Sequence, residues 1–373
     1  MHIYQIDPAH RREVRKFIDL PYRLYASAPQ WVPPLSIDEP RRFKREVHPF
    51  YEYGEAAFFL AEGSSGRPVG RLAVLDNHRF RECKGEQAAF FYLFEAEEDL
   101  EIAERLFEAA FAWARSRGLE TMIGPKGFGV LDGHGLLVEG FEHRPAFGQP
   151  YNLPYYPEML DALGFERRHD MVSGYMDAHS DFPDTIHQLA DRLRERRGLH
   201  IARFTNRREL QGMTGYLKDL YNNALAERDL NTPLTDADAA ALLKQLIWFA
   251  DPALLKIVMK EAEPVGFLFA YPDVSIAVQR IRGKVLPFGW IALLRELRRT
   301  QWININGAGM KEGYRGLGGT ALLFSEMYKS AAQGQYRFAD IVQINVENDR
   351  MLREMQRIGI QFYKTHRIFE RKI

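Results

Sequence analysis

The residues best suited to chemistry lie in GMKEGYRGLGGTALL, Gly309 to Leu323. Arg315, Gly316, Gly318 and Gly319 fall where a hydrophobic strand gives way to a helix, so unpaired backbone N–H groups and the helix dipole converge on one spot. Such a spot suits a diphosphate: glycines let the backbone approach the oxygens, and Arg315 adds charge. The same spacing also serves as a plain tight turn. Just upstream, WININ at Trp302 to Asn306 alternates so that Asn304 and Asn306 share one face.

Other candidates are weighed against plainer structural readings. Tyr151, Asn152, Tyr155 and Tyr156 form a proline-bounded aromatic loop that either lines a substrate cleft or buttresses a domain interface. Gly127, Gly129, Gly133 and Gly135 lack the strand-then-helix setting of a phosphate cradle and read as a flexible surface loop. Arg192, Arg194, Arg196, Arg197, Arg203, Arg207 and Arg208 would suit nucleic acid or an anionic lipid headgroup, but Asp191, Glu195 and Glu209 interleave them, as on a solvated helix face. His134, His143 and His169 lack ligand spacing, and no metal site is expected. VLPFGWIALL, Val285 to Leu294, is apolar and flanked by arginines; it reads as an interfacial membrane contact, a wall of an acyl-chain pocket, or a core helix.

These residues are positioned by a duplicated set of elements. AAFFLAEGSSGRPVGRLAVL (Ala56 to Leu75) matches LLKIVMKEAEPVGFLFAY (Leu254 to Tyr271), both hairpins by pattern. FFYLFE, a helix around Asp99 to Arg117 and TMIGP match WININ, a helix around Gly318 to Ala332 and DIVQINV, each a parallel crossover. A short helix, a glycine and a closing hairpin then recur at Met159 to Asp177 and Glu354 to Lys372. Gly70 precedes Gly266 by 196 residues and Gly164 precedes Gly359 by 195. The expected fold is therefore α/β with a mixed sheet in each of two tandem domains, 1–178 and 179–373. They are joined near Ala178 to Pro183 and by a helix over Asp184 to Arg197 with Leu189 and Leu193 on one face. The first crossover turn, FEAEEDLEIAERL, offers Glu95, Glu97, Glu98 and Asp99 without glycine, which favours its helix and repels a diphosphate.

Composition narrows the partners. The 373 residues are 46% hydrophobic, and 50 basic residues balance 50 acidic ones, so no global charge argues for nucleic acid. One cysteine, Cys83, fits a reducing compartment. No apolar run reaches the ~18 residues of a membrane span, and a cytoplasmic, or membrane-peripheral, location is expected.

Tyr-Arg-Gly-x-Gly opening a helix, followed by a strand ending in Val346-Glu347-Asn348, is similar to the GNAT superfamily of acyl-CoA-dependent N-acyltransferases. WVPPL (Trp31 to Leu35), HPF (His48 to Phe50), VGRLAV (Val69 to Val74), IGPKGF (Ile123 to Phe128) and PYNLPYYPEMLDALGF (Pro150 to Phe165) resemble a bacterial tandem group that includes ceramide synthase-like proteins. The resemblance implies acetyl-CoA or a longer acyl-CoA as co-substrate. It places the pyrophosphate on Arg315, Gly316, Gly318, Gly319 and Thr320, an oxyanion donor at Gly309 and Met310, and a cofactor contact at Asn348. The frequent family tyrosine falls at Met355, so Tyr363 or water becomes the acid that protonates the thiolate. Glu347 is the nearest candidate base, or else an ordinary surface carboxylate. Asn304 and Asn306 with Tyr155 and Tyr156 would meet the acceptor, the first copy acting as lid or platform. The implied activity is acyl transfer to an amine, with a lipid-like amine suggested by Val285 to Leu294. The alternative is a non-catalytic CoA- or lipid-binding protein on the same scaffold.

Overall fold

Period-two apolar runs and 3.6-period helical stripes set the elements, and the computed structural model describes residues 1–177, 182–202, 204, 209, 212, 214–225 and 228–373. In chain order, the first half holds β1 (His2–Gln5), α1 (Arg11–Leu24), β2 (Gly54–Glu62), β3 (Pro68–Asn77), α2 (His78–Lys84), β4 (Ala88–Ala96) and α3 (Leu100–Arg115). It continues with β5 (Thr121–Gly124), β6 (Leu136–Glu139), α4 (Tyr155–Ala162) and β7 (Glu166–Asp177). The second half holds α5 (Asp184–Arg197), β8 (Leu199–Ile201), α6 (Thr214–Ala224), α7 (Asp236–Phe249), β9 (Leu255–Lys260), β10 (Glu263–Pro272), α8 (Ser275–Arg280) and α9 (Gly289–Leu297). After these come β11 (Trp302–Met310), α10 (Gly319–Gln333), β12 (Phe338–Asn345), α11 (Asp349–Arg357) and β13 (Gln361–Lys372). Of the segments singled out in the sequence, Ala178 to Asp181 at the expected boundary and Arg203, Arg207 and Arg208 lie outside the described residues.

The chain forms two units. The first comprises 1–171, 275–292 and 364–373; the second comprises 172–274 and 293–363. Neither is a contiguous stretch, because β7 leaves the first unit for the second after Met171 while β13 runs the other way after Tyr363. Each is a single strand of 12 residues, where the sequence pattern suggested hairpins. Polar residues in mid-strand, such as Ser173 and Lys364, find partners: Ser173 Oγ accepts from Gln343 N (3.1 Å) and Lys364 Nζ donates to Arg144 O (2.8 Å).

In the first unit the strand order is β1-β2-β3-β4-β5-β13-β7, with β6 also on β13. Only β4 and β5 among the sequential neighbours run parallel, pairing Ala88–Phe90 with Thr121–Ile123. Helix α3 covers one face through Ile102, Leu106, Phe107, Ala110, Phe111 and Ala114, a helical stripe, and Asp99 caps it by accepting from Glu101 N. Gly70 admits this helix: a Cβ there would meet Ile102 Cγ2 at 2.6 Å.

The second unit repeats the plan as β13-β7-β12-β11-β10-β9-β8, with β11 and β12 parallel over Trp302–Ile305 and Phe338–Ile341. Its core joins Ile303, Ile305, Leu322, Leu323, Met327, Ile341 and Met355. On α5 Leu193 is buried but Leu189 is 39% exposed, so the two leucines do not form one apolar stripe. The Gly127 to Gly135 segment is no flexible surface loop. Gly127, Phe128 and Gly133 are buried, Gly129 N donates to Asp132 Oδ2 (2.9 Å), and a Cβ on Gly127 would lie 2.3 Å from Asp132 Cβ.

Candidate active site

Two parallel strands that part beyond their last shared pair leave a gap in the sheet, and each unit has one. Registers align the two gaps residue for residue. Gly70 pairs with Ala96 and Gly266 with Met310, so Ala96 on β4 corresponds to Met310 on β11, and Glu95 to Gly309. Glu97 N donates to Val69 O (2.9 Å) and Lys311 N to Val265 O (2.8 Å). Because amide directions alternate along a strand, the N–H groups of Ala96 and Met310 point the opposite way, into their gaps.

In the first unit that N–H is taken. Ala96 N donates to Tyr156 Oη (3.1 Å), Tyr155 Oη donates to Ala96 O (2.8 Å), and Tyr156 is wholly buried. Glu95 Oε2 accepts from Tyr25 Oη (2.6 Å) and Tyr156 Oη (2.8 Å), and burial raises the Glu95 pKa against the opposing pull of Arg71 and these donors. The hydroxyls of Tyr155 and Tyr156, read as acceptor-facing, are thus engaged by their own unit's gap. From Ala96 the chain enters α3 within three residues, with no room for a phosphate turn.

In the second unit eight residues separate Met310 from α10. They hold a 3-10 turn at Glu312–Tyr314 and then Gly316 (φ +78°) and Gly318 (φ +91°), conformations that favour glycine. Gly318 caps α10 without a side-chain hydrogen bond, so the first N–H groups, Gly319 and Thr320 included, face outward from a bare helix start. Leu193 of α5 lies 2.8 Å from where a Gly318 Cβ would be and fixes the turn's back. Arg315 leans on backbone: its guanidinium donates to Met310 O (3.3 Å), Asn223 O (3.2 Å) and Ala224 O (3.3 Å). Two cations not singled out in the sequence join it. Arg350 lies 3.4 Å from where a Gly316 Cβ would be, and Arg228 has its pKa lowered by burial and by Arg315. Arg350 is itself paired with Glu354 Oε1 (3.0 Å).

Below the gap, three strands place Tyr271, Asn304 and Asp340 level with one another and hence on one face. Tyr271 Oη accepts from Asn304 Nδ2 (2.9 Å) and Asn306 Nδ2 (3.2 Å), and Tyr363 Oη donates to Asp340 Oδ2 (2.7 Å). The Tyr175 ring stands edge-on to Tyr363 at 5.5 Å. Burial drives the Tyr271 pKa upward, keeping it a neutral donor. The sequence supplied Asn304, Asn306 and Tyr363 but not Tyr271 or Asp340, which sit in apolar strands and become neighbours only through register. Glu347 is exposed beyond β12, its N–H bonded to Asn345 Oδ1 (2.8 Å). Asn348 Oδ1 accepts from Met351 N (3.2 Å) and so caps α11, while Met355 is 1% exposed in the core. Among the described residues no group of three or more His, Cys, Asp and Glu is placed to hold a metal ion.

The same arrangement of the chain recurs in known structures. The chain superposes over its full length on a tandem GNAT protein from the clavulanic acid biosynthesis pathway, covering 98% of that chain with a TM-score of 0.56 at 12% identity. It also superposes on a GCN5-related N-acetyltransferase from Sphaerobacter thermophilus, covering 95% of it with a TM-score of 0.53 at 11% identity. The chain has a tandem GNAT fold. In sequence it is 28% identical to the bacterial ceramide synthase of Caulobacter vibrioides over 97% of this chain and 95% of that one. It is 25% identical to protein YghO of Escherichia coli K12 over 98% and 94%. No family model matches. The tandem GNAT fold accounts for the repeat.

Proposed function

We propose that the second unit transfers an acyl group from acyl-CoA to an amine, and that the first unit does not. The observation that carries this is the register: Met310 N–H stands beside a glycine turn and faces away from β10, where the matching Ala96 N–H is bonded to Tyr156. A thioester carbonyl at Met310 would gain a donor as its oxygen becomes an oxyanion. The α10 start, Arg315, Arg350 and Arg228 would hold the diphosphate, and acyl-CoA supplies the activated carbonyl.

Distance then assigns the polar floor. Asn304 is six residues below Met310, ~20 Å at strand rise, so Asp340 and Tyr363 are too far to take a proton from an amine attacking there. They suit the remote end of a long acceptor, with Tyr271 and Asn306 between. The relative named a ceramide synthase makes a long-chain amino alcohol the first acceptor to try. Residues 1–178 and 179–373 act as the covalent repeats that exchange strands to build the two units.

The test is amine-dependent thiol release from acyl-CoAs of graded chain length. Release is expected, with Arg315→Ala raising KM for acyl-CoA and Asp340→Asn raising KM for the amine, each by about tenfold with kcat nearly kept. Acyl-CoA binding without release by any amine would favour a binding protein; no binding at all would remove both readings. If Asp340→Asn instead slows turnover by about a hundredfold or more, that carboxylate is the base.

A further inference from the structure

The residues from Ser275 to Ala292 belong to the first unit and carry a protruding apolar tip. Leu286 is 69% exposed, Phe288 73% and Trp290 41%, and Leu294 follows on α9 at 42%. The tip is built rather than loose. Gln279 Nε2 donates to Pro29 O (2.8 Å) and Trp31 O (3.0 Å), and Ser36 N donates to Gly283 O (2.9 Å). Gly283 has φ +69° and a Cβ there would sit 2.2 Å from Pro34 O. Trp290 Nε1 donates to Pro287 O (3.0 Å), which holds the indole on the tip. Ser36 leads directly into Ile37, itself 38% exposed.

Charge identifies what covers it. Along the chain Arg280, Arg282 and Lys284 precede the tip and Arg295, Arg298 and Arg299 follow it, with Glu296 the one acidic residue between Arg280 and Arg299, while Asp38 and Glu39 beyond Ile37 are paired with Arg41 and Arg42. We infer that this tip is a docking site for an anionic lipid bilayer, with Leu286, Phe288 and Trp290 entering the interface and the arginines meeting the headgroups. Protein interface cores are depleted of charge, and a second copy would bring like charges face to face. A bilayer surface offers both an apolar layer and negative charge, and tryptophan favours that boundary. No described helix is long and apolar enough to cross a membrane, so the contact is peripheral. It does not depend on the acyl-transfer reading.

The experiment is co-sedimentation of the full chain with vesicles of phosphatidylcholine alone or mixed with phosphatidylglycerol. Binding is expected only to the mixed vesicles, with a blue shift of tryptophan emission that Trp290→Phe removes. The triple variant Leu286→Ser, Phe288→Ser, Trp290→Ser should lose binding, and Arg282→Gln and Lys284→Gln should each weaken it about fivefold. All these side chains are exposed, so an unchanged thermal unfolding curve verifies the fold. Absence of binding to mixed vesicles, undiminished binding by the triple variant, or tip-dependent self-association without vesicle binding would overturn the inference.

Discussion

In the first unit the amide of Ala96 meets a tyrosine hydroxyl, a carboxylate stands beside it, and three residues separate it from the helix. In the second the amide of Met310 faces a gap, a glycine stands beside it, and eight residues loop through two left-handed glycines before the helix. The scaffold, the registers and the direction of the amides are the same. Closing a GNAT gap thus takes few changes: one aromatic residue long enough to reach the amide, one carboxylate to engage its hydroxyl, and a shortened turn. In the first unit these backbone groups are taken by internal hydrogen bonds, beside the buried Glu95 carboxyl.

The two units should also differ in acid sensitivity. His366 is 1% exposed, and burial pushes its pKa down to about 4. Beside it His134 is lowered to about 3 by burial and by Lys126, His169 and His366, and burial lowers Lys126 to about 8. Both histidines belong to the first unit. A histidine with a depressed folded pKa binds fewer protons folded than unfolded, so stability is intact above about pH 6.5 and falls as pH drops through the folded value. His366 alone should remove about 3 kcal/mol between about pH 7 and about pH 4. Urea unfolding followed by hydrogen exchange on first-unit peptides should show it, and His366→Gln should flatten the slope. An equal acid loss in both units would break the comparison.

A smaller effect tests whether the closed gap is structural. Tyr156→Phe leaves Ala96 N and Glu95 short of a partner in a buried place, which costs about 1–3 kcal/mol. The expected result is a lower unfolding midpoint in denaturant with kcat/KM for thiol release unchanged. A fall in kcat/KM with stability kept would mean that Tyr156 serves acyl transfer after all.

The halves of this comparison were unequally visible in the sequence. Strand, crossover helix and strand were legible in both copies because burial writes its period directly into FFYLFE and WININ, and Gly70 and Gly266 stand at matching register positions. The glycine turn was legible for a related reason, since backbone with positive φ selects its residue. Tyr156 looked like a cleft residue because an aromatic loop has the same composition whether it lines a cavity or fills one. Tyr271 and Asp340 were hidden because cross-strand neighbours carry no sequence spacing. The sharing of β7 and β13 was hidden too: a strand that passes from one unit to the other within a continuous sheet keeps the same alternation. The glycines from Gly127 to Gly135 misled in the opposite direction, since they permit close packing against Asp132 and Pro150 rather than looseness.

The finest test gives the open turn the sign of the closed one. Gly316 is exposed at φ +78°, next to the Arg350 guanidinium, and a Cβ there would have only that flexible side chain within 4 Å. Aspartate tolerates left-handed backbone better than most residues. Gly316→Asp should therefore fold, pair with Arg350, and oppose a diphosphate as Glu97 and Glu98 would in the first copy. On the proposed reading, KM for acyl-CoA rises by about tenfold, the penalty of one opposed charge at an exposed site. Gly316→Asn carries the same backbone strain without the charge and should change KM far less. Added salt should narrow the gap between the two variants, because an exposed charge is screened. Equal KM values for aspartate and asparagine, measured by thiol release at low salt, would separate the turn from the phosphates and leave Met310 as the gap's only distinction.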